Sequence, residues 1–467
     1  MGPTPYAFRL PFAKPADVFL RMSDRPGVAW LDSSLPRSRD GQFSILAAEP
    51  RWIFVLRGDV WTVDGLAERA VLPSDGLAAL EQLVAQPSVN RLPEGAGHLP
   101  FLGGAIGWLG YDLGRRFEQL PNVALDDVRA PDAHFAWYDH ALVWDHAANE
   151  LWAVGLKRSD DEREPGISQQ AWLRGAGLPV PASATPGSAQ LARSNFTQAQ
   201  YLAAVEAVRA GIARGDYYQL NLVQRFTCEH PEPAPLTYLR LRERNPAPFA
   251  AYLDAENLTV LSSSPERFLE VTPDGRIRTF PIKGTRPRGP TPEEDARLRH
   301  ELLTSAKENA ELLMIVDLLR NDLGRVCAPG SVEVPQRRTV ESFATVHHLV
   351  AEVTGQLRAK VGLTDLLRAV FPGGSITGAP KVSAMGAIER LEPHRRGIAM
   401  GSIGYLSAHG RMDLSIAIRT VVCAAGHAHV SVGAGIVWDS EPAAEYAETL
   451  AKGRALFAAL GATPDTT

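Results

Sequence analysis

The sequence predicts an α+β fold, on three observations. Strand-type segments come in blocks that are followed by helices, and no βαβ alternation runs through the chain. Two stretches carry long helical patterns with recognisable caps. The composition, 45% hydrophobic and 22% charged over 467 residues, is that of a large globular core. No fixed-period repeat is present.

The elements follow in order. Residues 1–157 form an N-terminal region of short strands and tryptophan-rich turns, such as "FSILAAEP", "RWIFVL" and "HFAWYDHALVWDH". Residues 158–195 change in character. The charge run "RSDDEREPG" and the Pro/Ala/Ser-rich "GLPVPASATPGSAQ" predict a connector. Residues 196–460 are then periodic. "TQAQYLAAVEAVRAGIARGD" predicts a helix with Thr197 as N-cap and Gly215 near its end. Strands are expected at "YQLNLVQRFTCEH", "FAAYLD", "LTVLSSSPERFLEVT" and "RIRTFPIKG", and one long helix from Pro292 through "SAKENAELLMIVDLLRNDLG". The last third predicts strands at "GSIGYLS", "MDLSIAIRTVVCAA" and "HVSVGAGIVW", then a helix from about Pro442.

Charge and cysteines exclude several classes. A net charge of −5 gives no nucleic-acid footprint. Three distant cysteines, Cys228, Cys327 and Cys423, make neither a metal pattern nor a disulfide framework. No apolar run approaches the ~18 residues that span a bilayer. The first residues lack the apolar core of a signal peptide. A soluble cytoplasmic protein is the expectation.

Four constellations could carry chemistry. Glu308 and Glu311 share one helix face, as do Glu445 and Glu448. If the two faces meet, they make a hard oxygen site suited to Mg²⁺; if not, they are solvated helix faces. The segment "FPGGSITGAPK" is a glycine-rich loop entering a helix. It resembles a phosphate loop but has Ala379-Pro380 in place of Lys-Ser/Thr, so a carboxylate suits it better than a nucleotide. In "MDLSIAIRT", alternation puts Ile416 and Ile418 on one face and Ser415, Ala417 and Arg419 on the other. Arg419 is a carboxylate clamp or an edge-of-sheet charge. Glu266 in "SPERF" is an acid–base carboxylate or a salt-bridge partner. One lysine, Lys283 in "FPIKGTRPRG", sits between a Pro-Ile pair and a Gly-Thr turn, an odd place for a surface charge.

"SPERF", "PIKGTRPRG", "AELLMIVDLLRNDLGRV", "VHHLV", "FPGGSITGAPK", "GSIGYL", "IAIRT", "GAGIV" and "AEYAETLAK" come in the order found in chorismate-utilising enzymes. The chain resembles that family over nearly its whole length. The resemblance implies an antiparallel sandwich-like core of two sheets with surrounding helices. It implies Mg²⁺ as cofactor, ligated by Glu311 and Glu448 with Glu308 and Glu445 in support. Gln219, His348, Thr377, Tyr405, Arg419, Lys452 and the backbone of Gly433 and Gly435 would bind chorismate. Glu266 would protonate its departing 4-hydroxyl. Family members that make anthranilate carry a small residue in place of Lys283, and ammonia attacks C2 of the ring. The lysine amine would stand in for that ammonia, form a covalent adduct at C2 and direct ammonia to C4. Members that add water place a lysine base where this chain has Gln219, a poor base. An anthranilate synthase large subunit is the second reading, an isochorismate synthase the third. A regulatory subunit that binds chorismate or tryptophan is the non-enzyme alternative. With no glutaminase motif in the chain, a separate glutamine amidotransferase subunit is the expected ammonia source. Ser33, Phe43, Pro248 and Phe249 would frame a tryptophan pocket, although Asp40, Gly41 and Gln42 depart from the family pattern there.

Overall fold

The computed structural model describes residues 3–35, 38, 40–66, 71–85, 89, 91–158, 166–174, 190–255, 257–342 and 346–466. The described strands form a 13-stranded and an 11-stranded sheet, almost wholly antiparallel. The two sheets face one another. Ile45, Val143 and Val260 of the first pack with Ile106, Ala136 and Ile403 of the second in one buried cluster. Helices cover the outer faces. Leu456 and Phe457 of the last helix pack on the first sheet beside Trp30 and Trp144. Ile315 and Leu319 join the cluster outside the second.

The N-terminal region and residues 196–460 are woven together. Strand Phe249–Ala255 pairs with Ala29–Asp32 in the first sheet. Strand Ser402–Ser407 pairs with Gly104–Leu109 in the second. Within the expected connector, helix Ile167–Arg174 and strand Gln190–Ser194 are described. The rest of it, 159–165 and 175–189, lies outside the described residues.

Local signals act where expected. Helix Gln198–Arg214 is capped by Thr197 in a reciprocal capping box with Gln200, and Gly215 closes it with φ 81°. The last helix, Pro442–Leu460, starts with proline in its first turn and is capped by the Glu441 side chain.

Four sequence expectations are corrected; in the shortest case "RIRTFPIKG" is two strands, Arg276–Thr279 and Ile282–Pro287, parted at Phe280-Pro281. The long helix from Pro292 is two helices, Pro292–Thr304 and Ala306–Gly324. Ser305 leaves helical geometry and its side chain caps the Glu308 amide, so the second helix begins afresh at the acidic pair. "LTVLSSSPERFLEVT" is two strands, Leu258–Ser264 in the first sheet and Arg267–Val271 in the second. "MDLSIAIRTVVCAA" divides likewise into Met412–Ile416 and Thr420–Ala424. The predicted alternation through Arg419 therefore stops at Ile416. Chains turn such corners where a strand leaves one sheet for the other.

Candidate active site

The two crossovers lie side by side. The Ile416 amide donates to the Glu266 carbonyl at 3.0 Å, and the Ser263 amide donates to the Arg419 carbonyl at 3.0 Å. Glu266 and Arg419 thus project from neighbouring corners into one cavity of about 770 Å³. Arg419 has φ 51°, and Met400, which also lines the cavity, has φ 64°. Left-handed backbone at two non-glycine residues is strain of order 1 kcal/mol each, gathered at one site.

Lys283 enters from strand Ile282–Pro287. Its pairing with Val346–Gln356 slips between Lys283 and Thr285, opposite Leu349 and His348. Gly284 is the extra residue, with φ 71°. A Cβ there would stand 2.8 Å from Glu308 Oε2 and from Leu302 Cδ1, so this bulge requires glycine. Bulges re-aim side chains, and this one sits where Lys283 turns into the cavity. Opposite, a Cβ on Gly435 would lie 2.9 Å from Gln219 Nε2 and 3.5 Å from Lys283 Nζ. The bare backbone of Gly435 is what leaves room for the Gln219 amide, and it brings Lys283 Nζ into ordinary contact distance.

Two helices complete the walls. Helix Ala306–Gly324 buries Leu312, Ile315, Val316, Leu319 and Leu323. Burying each is worth about 1.5–3 kcal/mol, which anchors its first turns with Lys307, Glu308 and Glu311 at the cavity. Arg286 Nη1 donates to Glu308 at 3.3 Å. The last helix brings Glu445, Glu448 and Lys452. Ser440 donates to Glu445 at 2.6 Å. Lys452 Nζ pairs with Glu448 at 2.6 Å and donates to the Gly433 carbonyl at 3.0 Å.

The charges are finely set. Burial pushes the Glu266 carboxyl up to about 7, against Ser375, Lys283, Arg419 and Lys452, which favour its ionised form. Burial also raises Glu311; Lys283 and Lys307 oppose this, while Glu308 and Glu445 add to it. For Glu448 burial acts upward too, but Lys452, Lys283 and Lys307 bring it below the ordinary value. Burial drives the His348 imidazole down to about 4, so the ring is neutral at pH 7. Arg419 makes no side-chain hydrogen bond or ion pair among the described residues, although the cavity holds acids nearby. Such a site, rich in cations with a buried acid that keeps its proton near neutrality, suits an anionic substrate that needs a proton at one atom.

Comparison with known proteins agrees. The sequence profile described as chorismate binding enzyme matches residues 37–458. The chain belongs to the chorismate binding enzyme family. It is 45% identical to aminodeoxychorismate synthase component 1 of Klebsiella aerogenes, over 93% of this chain and 94% of that one. With the protein of the same name from Escherichia coli K12 it shares 43% over 93% of each chain. Anthranilate synthase component I from Streptococcus pneumoniae superposes with a TM-score of 0.76 at 34% identity, covering 90% of this chain and 92% of that one. The two-sheet fold expected from the family resemblance is the fold observed.

In this chorismate-utilising enzyme the cavity brings together Glu266, Lys283, Glu308, Glu311, His348, Arg419, Gly433, Gly435, Glu445, Glu448 and Lys452. Three of the expected residues stand outside its lining. Gln219 is fully buried behind Gly435, and neither polar atom of its amide has a partner among the described residues. Thr377 turns its hydroxyl back onto the Gly373 carbonyl at 3.0 Å. Tyr405 lines a separate cavity of about 220 Å³. Asn221, Arg286, Lys307, Ser375 and Met400 line the active cavity and were missed. Arg286 and Ser375 lie inside the quoted motifs and Lys307 beside the acidic pair. Met400 has no sequence signal.

Among the described residues no three His, Cys, Asp or Glu side chains converge to hold a metal ion by themselves. Mg²⁺, however, keeps several waters and takes one or two protein carboxylates together with substrate oxygens. Carboxylates on two facing helices, with Glu311 raised partly by its acidic neighbours, fit that mode of binding.

Ser33, Phe43, Pro248 and Phe249 all line the smaller cavity. Asp40 is committed there: it pairs with Arg267, which also bonds Asp413 at 2.9 Å and stacks over Phe249. No helix of the described residues is long and apolar enough to cross a membrane.

Proposed function

We propose that this enzyme aminates chorismate at C4 to give 4-amino-4-deoxychorismate, the step that feeds para-aminobenzoate and folate synthesis. The observation that carries the reading is the Lys283 side chain in the cavity with Glu266. The relatives named aminodeoxychorismate synthase component 1 support it.

Arg419, Lys452 and the backbone of Gly433 and Gly435 hold the substrate carboxylates, and His348 lines the ring. The Lys283 amine adds to C2 through its nitrogen lone pair, the ring double bonds shift and the C4–O bond breaks. Glu266 donates its proton to the departing hydroxyl, which leaves as water. Ammonia then adds at C4, and the C2–N bond breaks to return the lysine. A proton from the incoming nitrogen goes back to Glu266. Chorismate and ammonia become product and water, with the enolpyruvyl ether kept. Bound Mg²⁺ supplies positive charge for the ring carboxylate; Glu311 and Glu448 would hold it, supported by Glu308 and Glu445. Ammonia comes from a separate glutamine amidotransferase subunit, consistent with the "component 1" of the relatives' names. The smaller cavity takes tryptophan, a reading that rests on the framing of Ser33, Phe43, Pro248 and Phe249.

Chorismate, Mg²⁺ and an ammonium salt test this. Addition of a lyase that removes pyruvate from the product should release para-aminobenzoate. Fluorescent anthranilate as the main product would establish the second reading instead. Without ammonia, intact-protein mass spectrometry should show chorismate minus water added at Lys283, and Lys283→Ala should show no adduct.

A further inference from the structure

The Ser375 loop is poorly held by its own backbone. It is a single 3-10 turn, Gly374–Ile376, flanked by Gly373 and Gly378. The amides of Ile376 and Thr377 reach their turn partners only at 3.4 Å. Its placement comes from outside. Asn221 Nδ2 donates to the Ser375 carbonyl at 2.5 Å. Arg396 Nη1 donates to the next carbonyl, Ile376 O, at 2.8 Å, and Nη2 donates to Asn221 O at 2.7 Å. One buried guanidinium therefore ties together the strand and the loop that make the cavity floor.

Arg396 is itself held in one orientation. Glu392 takes Nε at 2.9 Å and Nη2 at 2.7 Å, and the Val223 amide also donates to Glu392 at 2.9 Å. The guanidinium lies 4.5 Å over the Tyr111 ring. Its side chain is 2% exposed. A planar fork of five donors is needed to serve one carboxylate and two carbonyls together; a lysine ammonium lacks that geometry.

We propose that Arg396 is a positioning residue for the acid: through the Ile376 and Asn221 carbonyls it holds the Ser375 hydroxyl on the Glu266 carboxyl. This rests on the reading of Glu266 as proton donor. The groups that face Glu266 are Ser375 from the loop, Lys283 from its strand, Arg419 from the crossover and Lys452 from the last helix. The Arg396 donors go to Glu392, the Ile376 carbonyl and the Asn221 carbonyl, and none reaches Glu266, so its contact with the acid runs through the backbone.

The test is Arg396→Lys, which keeps the charge, beside Ser375→Ala and the double variant. Rates with chorismate, Mg²⁺ and ammonium salt are measured across pH, with the melting temperature of each protein. In Arg396→Lys, kcat should fall by about 10- to 100-fold, as for a misplaced group, with KM for chorismate little changed. The alkaline limb of kcat should move to higher pH, as in Ser375→Ala, because a carboxyl that loses its donor keeps its proton longer. The double variant should be no worse than Arg396→Lys. An unmoved limb in Arg396→Lys beside a moved one in Ser375→Ala overturns the proposal; so does a kcat that falls only with the folded fraction. If Arg396→Lys does not fold, Asn221→Ala removes the side-chain tether on the Ser375 carbonyl, leaving the Asn221 amide on the Thr377 carbonyl, and should move the limb in the same direction; no movement there also overturns it. Wild-type protein that makes no aminated product would overturn the reaction, not the positioning.

Discussion

Glu266 shows how a single residue trades stability for chemistry. Its carboxyl ordinarily titrates at 4.5 and in the fold at about 7. Between those values the folded chain keeps a proton that the unfolded chain has lost. Stability therefore falls as pH rises from 4.5 to about 7, and above that the penalty levels at about 3 kcal/mol. Glu266→Gln removes the ionisation. It should melt higher than wild type at pH 8 and no higher at pH 4, while losing proton donation. An equal gain at both pH values would mean that packing, not charge, is the cause. The acidic pairs make a second residue-scale prediction. Glu311→Gln and Glu448→Gln should each remove the heat of Mg²⁺ binding in calorimetry with the metal alone, and each should end Mg²⁺-dependent turnover. Unchanged binding heat in either folded variant takes that residue out of the metal site.

At the scale of elements, the site is made by interruptions. The bulge at Gly284, the helix restart at Ser305 and the two crossovers each break a regular element just where a functional side chain emerges. Gly284→Ala tests the first. A Cβ at φ 71° costs about 1–2 kcal/mol by itself, and Glu308 and Leu302 stand in its way. Urea unfolding should register at least that loss, and adduct formation on Lys283 without ammonia should slow markedly. A variant as stable as wild type and as quick to form the adduct would show that the bulge does not aim the lysine.

At the scale of the molecule, both sheets run through the N-terminal region and residues 196–460 alike. Cut between them, strand Phe249–Ala255 would lose Ala29–Asp32, and strand Ser402–Ser407 would lose Gly104–Leu109. Each would present an open edge in the middle of a former sheet. Residues 196–467 expressed alone should fail to give a cooperatively folded protein, and the whole chain should unfold in one calorimetric transition. Two separate transitions would show that the halves are independent units.

The caps at Thr197 and Gly215, the start of the last helix and most residue types of the site were legible in the sequence because they are local; the cap at Ser305, inside an unbroken helical pattern, was not. Thr197 and Gln200 meet within one turn, and Glu445 and Glu448 share a face wherever their helix lies. The order of motifs also identified the family and its two-sheet core. Period-two alternation says which face a residue takes but not which sheet its strand joins. A strand that crosses at Pro265–Glu266 or at Ala417–Arg419 keeps a strand-like pattern on both sides of the corner, so each read as one element. The family resemblance placed Tyr405 with the substrate, whereas its strand turns it to the smaller cavity. Only the tertiary structure decided that four helical carboxylates, one bulged lysine and two corner residues face one space, and that Arg396, far along the chain, holds its floor. Those are contacts between segments distant in sequence, and their geometry is set by how the two sheets pack, which no local pattern encodes.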